Sequence, residues 1–130
     1  MASIFTKIIN RELPAYIIAE TDTCIAFLDV NPNALGHTLC VPKQEVDKIT
    51  DLDEELYVDL MKFSKNMAIA IQEAIDCKRV GFSVIGLEVP HVHVHLIPLN
   101  TMADATFGTK VAPSKEVFET LVNKIKAALK

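Results

Sequence analysis

Apolar positions along this chain follow two spacings, and the changes between them mark predicted helices and strands. From Ser3 onward, apolar residues at helical spacing predict a short helix, with Ser3 as its N-cap and Pro14 beyond its end. Residues 16–19 and 24–28 are rich in β-formers and are joined by a polar segment, which predicts a hairpin. After a loop, residues 37–41 predict a third strand.

The longest helical pattern runs from about residue 52 to 76. Asp51 is a suitable N-cap, and Glu54 three residues later completes a start that resembles a capping box. The apolar stripe is wider than one buried contact needs, which favours two covered surfaces, one on a sheet and one on a second subunit. Its members are Leu56, Leu60, Phe63, Met67, Ile71 and Ala74, widened by Tyr57, Met61, Ala68 and Ile75.

The second half of the chain repeats the order of strands followed by a helix. Residues 80–85 predict a fourth strand, 91–97 a fifth, and Pro113 with Ser114 opens a helix over about 114–129. Short connections between successive strands predict an α+β fold: a mostly antiparallel five-stranded sheet with the long helix packed on it and a C-terminal helix. We expect residues 1–130 to form one domain.

Three of the four histidines alternate with apolar residues in the fifth strand: His91, His93 and His95. Because side chains on a strand alternate between faces, the imidazoles would stand in a row while Val92 and Val94 point into a core. Each partly buried imidazole needs a polar partner, so a structural role for all three is the weaker interpretation. Imidazole attacks, transfers protons and binds metals near neutral pH, which leaves substrate chemistry and metal ligation.

Composition narrows the class of protein further. Half of the residues are apolar and 23% are charged, as in a folded domain, and the net charge of −4 argues against a protein that coats nucleic acid. No apolar run reaches membrane-spanning length, and the first residues lack the features of a secretory signal. The three widely spaced cysteines, Cys24, Cys40 and Cys77, indicate reduced core thiols. We therefore expect a cytoplasmic protein.

Residues 91–97 resemble the signature of the histidine triad family, whose three histidines alternate with apolar residues. The likeness covers about residues 3–98, and Gly86 stands just before the triad. The segments that carry it outside the triad are 4–9 and 12–14, similar to the family's N-terminal segment, and 26–32 and 36–43, similar to its nucleoside-binding stretch. Residues after about 100 show no such resemblance.

The resemblance implies a homodimer that binds purine nucleotides and cleaves them at the α-phosphorus. By position, His93 is the nucleophile, and three further histidines orient it and surround the phosphate: His91, His95 and His37. Attack requires a neutral ring whose lone pair faces phosphorus, so we expect the other ring nitrogen of His93 to donate to a backbone carbonyl. Water would then hydrolyse the nucleotidyl-histidine, and this scheme needs no cofactor or metal.

The resemblance also implies a nucleoside pocket. The residues that match its base-lining positions are Ile8, Leu13, Phe27 and Val30. Asp29 matches the residue that holds the ribose hydroxyls, and a carboxylate can accept hydrogen bonds from both. Taken alone, an aspartate beside a loop is more often a turn-former that accepts from nearby backbone amides, and Phe27 alone is more often core.

The chain departs from the family pattern just before the triad. The family commonly has Gly-Gln followed by Ser or Thr there, whereas this chain has Gly86-Leu87-Glu88. A donor to a phosphate oxygen is thus missing, and Glu88 would bring a negative charge to the nucleotide site. Ser83 is a candidate substitute. The departure leaves the preferred leaving group and the rate of turnover open.

Two rivals to the enzyme stand beside this interpretation. A His-x-His pair on a strand could supply two metal ligands and His37 a third, which would make a metal-dependent hydrolase. A nucleotide-binding module with little turnover would also fit the loss of donors at 87 and 88. Turnover of an adenosine phosphoramidate with and without a chelator separates the three.

Overall fold

The computed structural model, which describes residues 2–130, is an α+β fold built on one antiparallel sheet. Its strands are ordered β1-β2-β3-β5-β4, and every neighbouring pair is antiparallel. The elements are α1 (Ile4–Ile9), β1 (Ile17–Glu20), β2 (Cys24–Leu28), β3 (Thr38–Pro42), α2 (Glu54–Ala74), β4 (Arg79–Ser83), β5 (Val94–Leu99) and α3 (Lys115–Ala128), with 3-10 turns at Ile49–Asp51 and Met102–Ala105. The predicted fold class is confirmed.

Alternation of side chains divides the central strands between two apolar clusters. Ala26 of β2 and Cys40 of β3 face the larger cluster, which α2 and α3 cover. Phe27 and Leu39, one position away in each strand, face the smaller cluster beneath α1, where Phe5 packs on Phe27. Both faces of β2 and β3 are therefore buried, and α1 is held on the face opposite to the long helix.

The long helix begins two residues later than the sequence pattern predicts. Asp53, and not Asp51, is the N-cap, and its Oδ1 accepts from the backbone N–H of Leu56 at 2.9 Å. Asp51 instead closes the preceding 3-10 turn, and the helix ends at Ala74. Both aspartates are good N-caps, and capping at Asp53 places two glutamates in the first turn, where the helix dipole favours negative charge.

The fifth strand begins at Val94, so the prediction that it starts at the first histidine of the triad is wrong. The N–H of His91 donates to the carbonyl of Val89 at 2.8 Å, and the N–H of Val92 donates to Val46 at 2.8 Å. These bonds take the backbone into a turn before it joins the sheet, where the first pair is Cys40 with Val94. The alternating valines nevertheless enter the core as expected.

Two of the three cysteines are buried in the core, as predicted. Cys24 and Cys40 are free and buried, and burial raises the pKa of Cys40 to about 12, so it stays a thiol. Cys77 is free but only half-buried, since it follows the end of α2. The C-terminal helix opens at Ser114 as predicted, and Ser114 is its N-cap. No helix within residues 2–130 is both long and apolar enough to cross a membrane.

Candidate active site

A cavity of about 680 Å³ opens between α1, the end of β2 and two loops, residues 85–89 and 107–110. Phe5, Ile8 and Phe27 line it, and the polar groups that line it include His93 and His95. Two further polar members come from those loops: Glu88 and Lys110. Apolar walls with a few convergent polar groups are typical of a small-molecule site.

Aromatic and imidazole rings succeed one another along this cavity. The ring centroids of Phe27 and Phe5 lie 5.5 Å apart, and the next centroid, of His93, lies 4.9 Å from Phe5. His95 follows at 4.8 Å from His93, and Phe107 at 4.9 Å from His95. The cavity therefore has an apolar end at Phe27 and a polar end at His95, with His93 between them.

His93 lines the cavity, and one of its two ring nitrogens is bonded to the backbone. Its Nδ1 lies 2.7 Å from the carbonyl oxygen of His91, and a carbonyl only accepts, so Nδ1 carries the proton and donates. When this ring is neutral, its lone pair is therefore on Nε2, which is the form that a nucleophile requires. The prediction that a backbone carbonyl accepts from the His93 ring is confirmed, and the carbonyl is that of His91.

His95 presents a proton instead, because a chain of hydrogen bonds fixes its tautomer. The N–H of Asn33 donates to Nδ1 of His37 at 2.9 Å, so the proton of the neutral His37 ring is on Nε2. That Nε2 lies 2.9 Å from Nδ1 of His95 and donates to it. His95 must then carry its own proton on Nε2, as a donor available to a substrate oxygen.

Burial keeps both rings of this relay neutral. Burial, together with the His95 ring, lowers the pKa of His37 to about 3. Burial beside His93 lowers the pKa of His95 to about 4. At neutral pH the two rings therefore hold the tautomers described above, and His95 acts as a neutral donor.

His91 lies outside the cavity and is fully buried. Its Nε2 donates to the carbonyl of Pro42 at 2.8 Å, so its Nδ1 accepts from the hydroxyl of Ser3 at 2.7 Å. Glu45 in turn accepts from the N–H of Ser3 and from the hydroxyl of Thr6, both at 2.7 Å. The sequence predicted Ser3 only as a helix cap, and no motif announces its bond to His91.

Asp29 serves the local turn and also faces the cavity. Its Oδ1 accepts from the N–H of Asn31 at 2.8 Å, which is the turn-forming role that an isolated aspartate favours. Its Oδ2 lies 3.6 Å from Nε2 of His37, beside the histidine relay. Burial raises the pKa of Asp29, although the Asn31 amide and Lys110 oppose this. One carboxylate oxygen is thus left for a ligand.

The structure brings most of the predicted nucleoside pocket together. Ile8, Phe27 and Val30 line the cavity, and Val30 is 68% exposed at its rim. Leu13 is 40% exposed and is not part of the lining, which its neighbour Pro14 reaches instead. The base-lining role of Leu13 therefore has no geometric support within residues 2–130 of one chain.

The loop before the triad lies at the cavity, as the sequence predicts. A second loop, residues 107–110, also lines the cavity and was not predicted. Leu87 and Glu88 line the cavity, whereas Ser83 lies within β4 and does not reach the lining. Phe107 and Lys110 enter from the segment beyond residue 100. No motif marks these two residues, because they are brought to the cavity by contacts that are distant in sequence.

One trio could hold a metal by distance alone. One ligand atom from each of Asp29, His37 and His95 lies within 4.8 Å of the others. Binding through Nε2 of His37 would put the proton of that ring on Nδ1, facing the N–H of Asn33 that now donates to it. Two donors would then oppose each other, so this trio fits a hydrogen-bond relay better than a ligand set.

Comparison with known proteins identifies the family. Residues 10–102 match the family model of the HIT domain, so the chain belongs to the histidine triad family. It is 39% identical over 98 residues to an adenosine 5′-monophosphoramidase of Saccharomyces cerevisiae. That match covers 75% of this chain and 62% of the yeast protein.

Solved structures extend the likeness beyond the family model. A Hit-like protein involved in cell-cycle regulation from Bartonella henselae has a TM-score of 0.85 and 32% identity, over 98% of this chain and 96% of that one. A hypothetical histidine triad nucleotide-binding protein from Sulfolobus tokodaii has a TM-score of 0.82 and 30% identity, over 96% and 90%. The resemblance seen in the sequence is confirmed, and in three dimensions it includes most of the C-terminal segment.

Proposed function

We propose that this protein hydrolyses purine nucleotides at the α-phosphorus, or transfers their nucleotidyl group, through a nucleotidyl-His93 intermediate. The observation that carries the proposal is the pair of opposite tautomers on two neighbouring rings, whose centroids lie 4.8 Å apart. The Nε2 of His93 offers a lone pair, whereas the Nε2 of His95 offers a proton. One ring can attack phosphorus while the other donates to a phosphoryl oxygen.

The proposed reaction has two displacements at the same phosphorus. In the first, Nε2 of His93 forms a bond to the α-phosphorus as the bond from phosphorus to the leaving group breaks. The electron pair of that bond goes to the leaving nitrogen or oxygen, and a leaving amine takes up a proton from water and departs neutral. The ring then carries a positive charge, which the carbonyl of His91 stabilises through the Nδ1–H bond. In the second, water attacks, the P–N bond breaks, a proton is released and the nucleoside monophosphate leaves with His93 neutral again.

The proposed leaving group is an amine. Phosphate and a nucleotide are the alternative leaving groups. The likeness to the yeast adenosine 5′-monophosphoramidase supports the amine. For the nucleoside, we propose that Phe27 and Ile8 contact the purine and that the free Oδ2 of Asp29 accepts from the ribose hydroxyls. Both apolar residues line the cavity, and Asp29 lies at its polar part.

We propose a homodimer in the cytoplasm. Strand β4 forms one edge of the sheet, and no strand within residues 2–130 pairs with its outer side. Phe82 of β4 is 46% exposed, and Tyr57 and Ile69 of α2 are exposed as well. A second copy that covers these side chains would remove both an open edge and exposed apolar surface.

Incubation with an adenosine phosphoramidate in the presence of a chelator tests the proposal. Undiminished release of adenosine monophosphate supports covalent catalysis by histidine. Loss of turnover on chelation, with recovery on adding a divalent metal, would replace it by the metal-dependent rival. The binding module, which the donor-free Leu87 and Glu88 beside the cavity favour, predicts binding of the monophosphate without turnover.

A further inference from the structure

Lys110 is the one lysine or arginine that lines the cavity in the described part of the chain. Two carboxylates, Asp29 and Glu88, line the same space. A nucleotide brings at least one negative phosphoryl group into this cavity, so it needs a compensating donor or cation. The segment before the triad supplies no such side chain, since Leu87 and Glu88 stand there.

The ammonium group of Lys110 is held in place by a partner that leaves most of its donors free. Its Nζ donates to Oδ1 of Asn33 at 2.7 Å, and Asn33 is 4% exposed. The amide orientation of Asn33 is fixed because its Nδ2 donates to the carbonyl of Asp104 at 3.1 Å. An ammonium has three N–H bonds, so two remain for a ligand.

The position of Lys110 places this charge at the polar end of the cavity. Its Nζ lies 4.8 Å from the ring centroid of Phe107, which is itself 4.9 Å from the His95 ring. The succession of rings from Phe27 through Phe5, His93 and His95, packed edge to face or tilted, therefore ends beside Lys110. A base at the Phe27 end would direct the phosphates of the same nucleotide towards the ammonium.

Asn33 links the Lys110 ammonium to the histidine relay. Asn33 also donates its backbone N–H to His37, the first member of the relay that fixes the His95 tautomer. The N–H of Val111 donates to the carbonyl of Pro32 at 3.0 Å, which joins the Lys110 segment to the loop that carries Asn33. The cation and the neutral donor of His95 are thus positioned by one loop.

We propose that Lys110 binds a phosphoryl oxygen of the nucleotide and supplies the donor that the segment before the triad lacks. This inference rests on the proposed function, since it requires a nucleotide in the cavity. It makes the segment after β5 part of the substrate site. It also predicts that the site discriminates strongly between a nucleotide and its nucleoside.

Calorimetric titration of Lys110→Met with adenosine, adenosine monophosphate and adenosine diphosphate tests the inference. Methionine keeps an apolar stem over Phe107 and removes the charge. A charged hydrogen bond predicts about tenfold weaker binding of the monophosphate or the diphosphate, with adenosine affinity unchanged. A loss for both nucleotides assigns Lys110 to the α-phosphate, and a loss for the diphosphate alone assigns it to the next phosphate.

Two matched variants control this experiment. Lys110→Arg keeps the charge and should retain nucleotide affinity within about threefold. Lys115→Met removes an exposed lysine of α3, whose side chain is 79% accessible, and should change nothing. Equal nucleotide affinities in Lys110→Met and the wild type would overturn the inference while leaving the proposed function intact. A wild type that binds none of the three ligands would overturn the proposed function itself.

Discussion

Nε2 of His37 donates to Nδ1 of His95 across 2.9 Å, and this bond decides what His95 offers to a substrate. Reversing it would leave a lone pair on Nε2 of His95, facing a phosphoryl oxygen that also carries lone pairs. The direction is set one step further back, by the backbone N–H of Asn33. The chemistry of the triad therefore depends on a histidine and a loop that lie outside it.

Removing the carboxylate of Asp29 should weaken nucleotide binding and spare the fold. Asp29→Ala removes the acceptor for the ribose hydroxyls, so we expect the dissociation constant for adenosine monophosphate to rise about tenfold or more. Asp29→Asn is the control for the turn, since an amide oxygen can still accept from the N–H of Asn31. Unchanged affinity in Asp29→Ala would mean that this residue only shapes the turn.

Ser3→Ala should lower both stability and turnover, because one hydroxyl caps α1 and donates to His91. Loss of a cap costs about 1 kcal/mol, and loss of the 2.7 Å hydrogen bond to Nδ1 of His91 adds to that cost. We expect a severalfold lower kcat with little change in KM, since the His91 carbonyl that fixes His93 becomes less well held.

Ser114→Ala is the matched control for this variant. Ser114 caps α3 in the same way, by accepting from the N–H of Val117, and within residues 2–130 its side chain has no hydrogen bond to a histidine. Thermal unfolding should show only the loss that the cap itself causes, about 1 kcal/mol and smaller than that of Ser3→Ala, and steady-state assays should show wild-type kcat. Equal effects of the two substitutions on kcat would reduce Ser3 to a helix cap.

Acid should lower the free energy of unfolding through the two relay histidines. Their pKa values are about 3 for His37 and about 4 for His95 in the folded protein, below the ordinary value of 6.5. As pH falls below 6.5, the unfolded chain binds protons that the folded protein does not, so stability is full above 6.5 and declines towards pH 4. Each proton that only the unfolded chain binds lowers the free energy of unfolding by about 1.4 kcal/mol for every pH unit.

Urea unfolding between pH 7.5 and 5 measures this slope. His37→Gln removes one of the two titrating groups and keeps a side-chain N–H that can face His95. We expect the variant to lose about half of the dependence that these two rings cause. Parallel plots of unfolding free energy against pH for the wild type and the variant would show that the pKa of His37 does not change on folding.

Sedimentation should find a species of about twice the 14.4 kDa chain mass at micromolar concentration. A charge at the exposed edge should prevent this, so Phe82→Glu is expected to give the monomer. Val117→Glu changes an exposed valine on α3 and serves as the control. A wild type that sediments as a monomer throughout would remove the dimer from the account.

The elements were predictable from local pattern, and their exact ends were not. Asp51 and Asp53 are equally suitable caps by residue type, and capping at Asp53 places two glutamates in the first turn, where the helix dipole favours them. The alternation at 91–95 satisfied a strand pattern, yet backbone bonds to Val89 and Val46 hold its first residues out of the sheet. Periodicity describes which side chains are buried, whereas the partners of a backbone N–H depend on the tertiary fold.

The site was predictable where one segment carries it and obscure where several meet. The triad and Asp29 lie in segments with a family pattern, and the structure places them around one cavity, with His91 behind it. Lys110 and Ser3 join it through contacts to Asn33 and His91, more than 70 residues away in sequence. Such pairs leave no spacing within a single segment from which they could be inferred.

The kcat of His93→Ala for an adenosine phosphoramidate tests the central claim most directly. If Nε2 of His93 attacks phosphorus, turnover should be abolished while affinity for adenosine monophosphate is largely kept, because base and ribose contacts come from other residues. His91→Ala and His95→Ala should retain measurable activity, since a single donor or positioning group contributes about 10² to 10³ in rate. A kcat for His93→Ala close to that of the wild type would contradict the covalent mechanism.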